Sequence, residues 1–168
     1  MKIYLATDHT GYTLKEKLKQ FLIEKNYVVE DCGAYAYDAD DDYPDFIAKA
    51  AIAVGKEPKN SRGIIFGGSG QGEAIVANKI NGVRCALFYT PAIPVHAVNI
   101  EGIESTDPYE IIKLTREHNE SNMLSIGVRF VKDEDVFNAV DMWLNTPDPV
   151  EERHLRRIEK IKKIEYDQ

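Results

Sequence analysis

A glycine-rich turn followed at once by a carboxylate is the part of the sequence that most suggests chemistry. The segment from Gly63 to Lys79, GIIFGGSGQGEAIVANK, reads as a buried strand, a turn and a helix, with Glu73 directly after the turn. Glycines let a backbone approach a bound group, and helix N-termini favour anions. A carboxylate there would repel a phosphate. We therefore expect the turn to face another part of a ligand, and Glu73 to take part in the reaction.

Two other polar clusters are expected at the same edge of the protein. Asp8 and His9 follow the first strand-like run, and DYPDF, in which Tyr43 is the second residue, precedes the second helix. In an open α/β sheet, ligands bind beyond the carboxyl ends of the strands. Taken singly, Asp8 and Ser69 are also typical helix caps, and Asp45 is a typical first-turn carboxylate. Their convergence on one edge favours a shared site.

The glycine turn does not match the common nucleotide-binding patterns. It lacks the Gly-Lys-Ser/Thr ending of a P-loop, and the spacing of Gly68, Gly70 and Gly72 fails the dinucleotide pattern. The four histidines are scattered without a companion at metal-ligating spacing, so we predict no metal site. Cys32 and Cys85 lie in strand-like runs and are expected to be buried, reduced thiols.

Alternating strand and helix signals must position these residues. The strand-like runs are Lys2–Thr7, Tyr27–Asp31, Gly63–Phe66, Arg84–Tyr89 and Met123–Phe130. Apolar stripes at helical spacing separate them. This order predicts one domain over residues 1–168 with a doubly wound, Rossmann-like α/β fold: a three-layer sandwich with a five-stranded parallel sheet. A charged helix over Val150–Tyr166 follows the NTPDP break and is expected to pack on a partner subunit.

Composition narrows the class of protein further. The 168 residues suffice for one well-packed domain, and 43% are hydrophobic, as in ordinary globular proteins. The net charge of −7 argues against a broad nucleic-acid or membrane surface, although basic clusters remain able to bind a small anion. The first residues already form a strand-like run and no apolar run approaches membrane-spanning length, so a cytoplasmic location is expected.

Five segments, in order, resemble the RpiB/LacAB sugar-phosphate isomerases. They are DHTGYTLKEKL, DYPDF, GGSGQGEAIVANK, REHNESNMLSIGVR and ERHLRRI, and the resemblance covers nearly the whole chain. It implies an aldose–ketose isomerase that uses no metal or organic cofactor, with ribose 5-phosphate and ribulose 5-phosphate as the leading pair. It also implies a homodimer, or a dimer of dimers, with active sites at the subunit interface.

The resemblance assigns roles by position. Glu73 matches the base that moves a proton between C1 and C2 through a cis-enediolate, Asp8 matches a proton shuttle between sugar oxygens, and His118 matches the residue that opens the sugar ring. Backbone amides of the glycine turn, with the Ser69 hydroxyl, would stabilise the charged oxygens. The matching substrate-binding positions are His9, Tyr43, Gly68, Gly70, Gly72, Asn119, Arg129, Arg153 and Arg157. His9 and the three arginines among them match phosphate-binding positions.

The chain departs from the family pattern at two places. Many members carry a cysteine base where this chain has Gly67, whereas another branch carries a glutamate like Glu73. The segment Tyr89–Tyr109 is longer than usual, and an inert loop, an interface and a substrate-selecting lid are all open. Burial of its apolar residues against a partner subunit is the preferred expectation.

The alternatives for function are isomerisation of another four- to six-carbon sugar phosphate, a non-catalytic sugar-phosphate-binding regulatory module, or a phosphoacceptor receiver domain.

Overall fold

Five short strands form a parallel sheet at the centre of the protein. The computed structural model describes residues 1–166. The strands are β1 (Lys2–Thr7), β2 (Val28–Asp31), β3 (Ser61–Gly67), β4 (Cys85–Phe88) and β5 (Met123–Gly127), in the spatial order β2-β1-β3-β5-β4. All four pairings are parallel. Parallel neighbours need a crossover connection, which explains the alternation of strand and helix signals along the chain.

Helices cover both faces of the sheet. They are α1 (Tyr12–Glu24), α2 (Tyr43–Lys56), α3 (Gln71–Ala77), α4 (Glu110–Glu117), α5 (Asp133–Asn145) and α6 (Glu152–Tyr166), and a short 3-10 turn spans His9–Gly11. One apolar layer joins the sheet to α1, α4 and α5 around the fully buried Trp143. A second layer joins the opposite face to α2 and α3. The predicted three-layer, doubly wound α/β fold is confirmed.

The last strand is shorter than its sequence pattern predicts. The pattern extends to Phe130, but β5 ends at Gly127, and the next three residues turn across the glycine loop. The amide of Val128 donates to the carbonyl of Gly67, and that of Arg129 donates to the carbonyl of Gly68. These residues keep strand-like hydrogen bonding while the chain changes direction. The turn brings Arg129 over the loop.

The C-terminal helix α6 begins two residues later than predicted and packs on its own chain. Its buried side chains include His154 and Ile158. Near its end, the Glu165 carboxylate accepts a hydrogen bond of 3.0 Å from the amide of Gly82. Contact of α6 with a partner subunit stays a prediction. Within residues 1–166, none of the helices combines the length and the apolar character needed to span a membrane.

Candidate active site

Three glycines between the end of β3 and the start of α3 make room for side chains of this chain itself. A Cβ on Gly67 would lie 1.9 Å from the carboxyl carbon of Glu73, and one on Gly72 would lie 2.6 Å from the Tyr43 hydroxyl oxygen. A Cβ on Gly68 would lie 3.0 Å from the Arg129 guanidinium carbon. The sequence suggested only that these glycines let backbone approach a ligand. In the structure they also gather three candidate site residues around one loop.

The Glu73 carboxyl is held in a nearly dry position. It lies in the first turn of α3 with only 4% of the residue exposed, in the space that any side chain at position 67 would need. Burial raises the pKa of Glu73, and the nearby Asp8 carboxylate raises it further. A buried carboxyl with a raised pKa beside another acidic group is typical of a general base.

Asp8 directly follows β1 at the same edge and is also buried. Its Oδ1 accepts hydrogen bonds from the backbone amide and the hydroxyl of Thr10, at 2.9 and 2.5 Å. The structural role that its position suggested, the cap of a short helical turn, is therefore real. These two bonds use Oδ1, so Oδ2 is the oxygen left to act on a ligand while the cap stays in place.

His9 is paired with a carboxylate that the sequence did not single out. The Asp41 Oδ1 lies 2.7 Å from His9 Nδ1 and 3.1 Å from the His9 backbone nitrogen. This pairing raises the pKa of His9. Asp8, His9 and Asp41 bring potential ligand atoms within 4.8 Å of one another. The short hydrogen bond already engages two of these side chains, and the absence of a metal site stays a prediction.

The glycine loop also presents backbone donors. The amides of Gly68, Ser69 and Gly70 donate to no group within residues 1–166. Gly70 has a positive φ of 71°, a conformation that favours glycine, and its carbonyl accepts a 2.7 Å bond from Ser125. The exposed Ser69 hydroxyl accepts a 3.3 Å bond from the amide of Gln71, which leaves its own proton free. This arrangement suits an oxyanion.

A second group of candidate residues gathers around the start of α6. The imidazole of His118, at the end of α4, stacks on that of His154 with ring centroids 4.0 Å apart. Arg153 is tethered to Glu151 by a 2.6 Å bond, and Arg157 lies one helical turn further on, exposed to solvent. Burial lowers the pKa of His154, and the neighbouring His118 lowers it further. Asn119 belongs to the same group.

The two groups lie at opposite ends of the sheet. Glu73 follows the carboxyl end of β3, whereas His118 and Asn119 precede the amino end of β5, and these strands run parallel with Gly63 opposite Met123. The five residues of β5 span about 16 Å. The carbonyl of Asn119 accepts a bond from Arg84, just before β4, which is again the amino end. One chain therefore holds two separate halves of the predicted site.

The sequence placed most of these residues correctly by strand end but missed two partners. Asp41 lies in an acidic run, DADDD, that reads as a solvated loop. His154 stands between charged residues of α6, although its spacing of four from the buried Ile158 was a usable signal. Both cysteines are free thiols, as expected; Cys32 is buried, whereas Cys85 is only partly so. Burial raises the pKa of Cys32 to about 11 and that of Cys85 as well, which makes both poor nucleophiles.

Comparison with known proteins gives concordant results. The model of the family described as Ribose/Galactose Isomerase matches residues 3–103 and 95–161. Ribose-5-phosphate isomerase B of Mycobacterium leprae is 37% identical over 165 residues, which covers 98% of this chain and 90% of that protein. The crystal structure of ribose-5-phosphate isomerase B from Mycoplasma genitalium with bound ribulose-5-phosphate superposes with a TM-score of 0.86 at 34% identity, covering 99% of this chain and 97% of that one. Type B ribose 5-phosphate isomerase from Trypanosoma cruzi gives 0.83 at 30% identity, with both chains fully covered.

Proposed function

The chain belongs to the Ribose/Galactose Isomerase family, and we propose that it interconverts ribose 5-phosphate and ribulose 5-phosphate. The observation that carries the proposal is the Glu73 carboxyl. It is buried, has a pKa that this burial and the nearby Asp8 raise, and occupies the space that a side chain at position 67 would need. The family resemblance implies a cysteine base at that position in many members. The site therefore supplies a base without a thiol.

The reaction moves two protons, and one group is assigned to each. Glu73 takes the proton from C2 of the open-chain aldose and returns it to C1, while the electron pair forms the C1–C2 double bond of the enediolate. Asp8 takes the proton from O2 and delivers it to O1, which leaves the C2 carbonyl of the ketose. The free amides from Gly68 to Gly70 and the Ser69 hydroxyl stabilise the charge that develops on the oxygens.

We assign ring opening and part of the phosphate grip to the second group of residues. His118 transfers the proton that opens the furanose, and Asn119 orients the sugar. Arg153 and Arg157, one turn apart on α6, bind the phosphate together with His9 and Arg129. A sugar phosphate cannot touch both ends of one sheet, so the second group must come from another copy of the chain. The proposed enzyme is a homodimer with two composite sites at the interface.

A coupled assay over a panel of four- to six-carbon aldose and ketose phosphates tests the proposal. Ribose 5-phosphate should give the highest kcat/KM. A preference for a tetrose phosphate or galactose 6-phosphate would support the aldose–ketose isomerisation but contradict the proposed substrate. Turnover of none, with sugar phosphate still bound, would make the protein a regulatory binding module and overturn the assignment of catalysis to Glu73.

Two further parts of the proposal concern conditions. The reaction needs no metal, so EDTA should leave kcat unchanged, and loss of activity that is restored by a divalent cation would contradict this. Pentose phosphates are charged, water-soluble metabolites, and we place the enzyme in pentose phosphate metabolism in the cytoplasm.

A further inference from the structure

Asp41 holds His9 through two hydrogen bonds to one oxygen. Its Oδ1 accepts from the His9 backbone amide at 3.1 Å and from the ring nitrogen Nδ1 at 2.7 Å. Only 7% of the Asp41 side chain is exposed, and its Oδ2 is buried without a hydrogen-bond partner among residues 1–166. A buried carboxylate with an unpaired oxygen costs free energy, and such groups call for a functional explanation.

The chemistry of this pair restricts what His9 can do. An ionised carboxylate only accepts hydrogen bonds, so Nδ1 must carry a proton. Nε2, which makes no hydrogen bond within residues 1–166, then carries a proton only when the ring is an imidazolium. Such a ring donates to an anion through a charge-assisted bond. Without Asp41, a neutral ring is free to place its single proton on either nitrogen.

We propose that Asp41 is a positioning residue that commits His9 to the imidazolium form and turns its Nε2–H toward the phosphate of the substrate. This inference rests on the phosphate-binding role given to His9 in the proposed function. It adds a residue outside the substrate contacts that decides how His9 is protonated and how its ring is oriented.

The charges around His9 agree with this role. The hydrogen bond to Asp41 raises the pKa of His9 most strongly, and the Asp8 carboxylate raises it further, whereas the Arg129 guanidinium lowers it. The edge of the Tyr37 ring completes the surroundings, with ring centroids 6.0 Å apart. The charges of His9 and Arg129 therefore interact. Two adjacent carboxylates favour the charged imidazole, whereas burial and that arginine oppose it.

The first test measures the binding of inorganic phosphate, which does not depend on turnover. Asp41→Asn keeps the shape and an acceptor oxygen but removes the charge. We expect it to weaken phosphate binding about tenfold near pH 7.5, the effect of one charge-assisted hydrogen bond. Asp40→Asn is the matched control because it removes the same charge from an exposed neighbour that does not contact His9. It should leave phosphate binding nearly unchanged.

The pH profile separates this role from a general structural one. The ratio of phosphate affinities between wild type and Asp41→Asn cancels the titration of phosphate itself. This affinity ratio should be smallest at low pH, where His9 is protonated in both proteins. It should grow in favour of the wild type as the pH rises past the pKa of an ordinary histidine. A ratio that is the same at every pH would mean that Asp41 only supports the loop.

A double-mutant cycle and NMR complete the test. In a His9→Gln background, Asp41→Asn should have no further effect on phosphate binding, and an undiminished effect would overturn the inference. The ¹⁵N shifts of the His9 ring should show both nitrogens protonated in the wild type and a mixture of neutral tautomers in Asp41→Asn, at the pH of the phosphate-binding test. A neutral wild-type ring, or no phosphate binding by the wild type, would also overturn it. Phosphate binding without isomerase activity would count against the proposed function alone.

Discussion

At the scale of single residues, the position of Glu73 relates burial to reactivity. A carboxylate that takes a proton from carbon reacts faster when its pKa is raised, because a stronger base accepts the proton more readily. Glu73→Gln keeps the size and removes the basicity, so kcat should fall by roughly 10²–10⁴-fold. Phosphate inhibition should stay unchanged because the arginines are untouched.

The measurement for this change is a coupled isomerase assay, together with solvent deuterium incorporation into the product. Cys32→Ala and Cys85→Ala are the controls and should keep the wild-type kcat, since neither thiol lies in the site. Deuterium exchange at a wild-type rate in Glu73→Gln would remove Glu73 from the role of base.

The same burial predicts that Glu73→Gln stabilises the fold. The pKa of Glu73 is raised from 4.5, so between this ordinary value and the raised one the folded protein keeps a proton that the unfolded chain has lost. Stability of the wild type therefore falls as the pH rises through that window. Urea unfolding should show the variant more stable at about pH 7.5, with the gain vanishing at about pH 4.5. Equal stability of the two proteins at both pH values would contradict a carboxylate that burial destabilises.

Residue by residue, the sequence was most informative where a side chain stands at the end of a strand. Asp8, His9 and Glu73 were predicted at one edge because parallel strands bring their carboxyl ends together. Asp41 was not, because a loop residue in an acidic run carries no periodic signal that it will be buried. Its importance comes from a contact over 32 positions of the chain, which no local pattern contains.

At the scale of elements, the glycine loop acts as a template for side chains. Gly67→Ala places a methyl group 1.9 Å from the Glu73 carboxyl carbon, so the base must move. A displacement of this size should lower kcat on the order of 10²-fold. Gly68→Ala is the matched variant, because its methyl group meets Arg129 instead, at 3.0 Å, and should mainly raise KM. Steady-state kinetics of both variants are the measurement. If both variants changed kcat and KM in the same way, the two glycines would not position different side chains.

A further prediction concerns replacing the Glu73 carboxylate by a cysteine thiol at position 67 as the base. A thiol at position 67 would lie where the Glu73 carboxyl now lies, so Gly67→Cys alone should lower activity by crowding. Combined with Glu73→Ala, the new thiol should restore part of the turnover lost by Glu73→Ala, and iodoacetamide should abolish the restored part. Activity that iodoacetamide does not affect would show that the thiol is not the base.

The elements themselves were largely predictable. Four strands match their predicted runs within two residues at each end, because short apolar runs between helical stripes are typical of a covered parallel sheet. The predicted extension of the last strand through Val128 to Phe130 was wrong. Hydrogen bonds to the glycine loop turn the chain there, and the sequence pattern contains no sign of them. Helix α6 was predicted from its charge pattern, but its packing on Gly82 was not.

At the scale of the whole molecule, the segment between β4 and α4 presents apolar side chains to solvent. Its ends are joined by a 2.8 Å bond from Ala92 to Pro108, and Ile93, Val95 and Ile100 are exposed by 60%, 87% and 75%. With α4 it lines a groove of about 620 Å³ that reaches His118. The family model also matches this chain in two stretches that overlap within this segment. Surfaces of this kind are typical of a subunit contact.

Replacement of Asn99–Thr106 by a short Gly/Ser linker should therefore change the ranking of four-, five- and six-carbon substrates more than it changes stability. The physical reason is that, in the proposed dimer, the segment would narrow the sugar pocket of the neighbouring subunit. Ile100→Ser with Ile103→Ser keeps the length of the loop and serves as the matched control for lost apolar contact. The measurements are an assay over the substrate panel and analytical sedimentation. If the substrate ranking and dimerisation were both unaltered, the segment would be an inert surface loop.

The separation of the two groups of site residues gives the sharpest prediction for the assembly. In the proposed twofold dimer, each site would take Glu73 and Asp8 from one subunit and His118 and Arg157 from the other. A chain with Glu73→Gln and a chain with His118→Ala and Arg157→Ala are each expected to be nearly inactive. A purified mixed dimer of the two contains one site built only from wild-type residues, so it should recover about half of the wild-type turnover.

The matched control is a mixed dimer of Glu73→Gln with Asp8→Asn. Both changes lie in the same half of the site, so every site keeps one defect and activity should stay low. Different affinity tags on the two chains allow each mixed dimer to be isolated before the assay. If the first mixed dimer stayed inactive while mass spectrometry confirmed its composition, both halves would have to act within one chain. The parallel register that places them at opposite ends of β5 would then have to be abandoned.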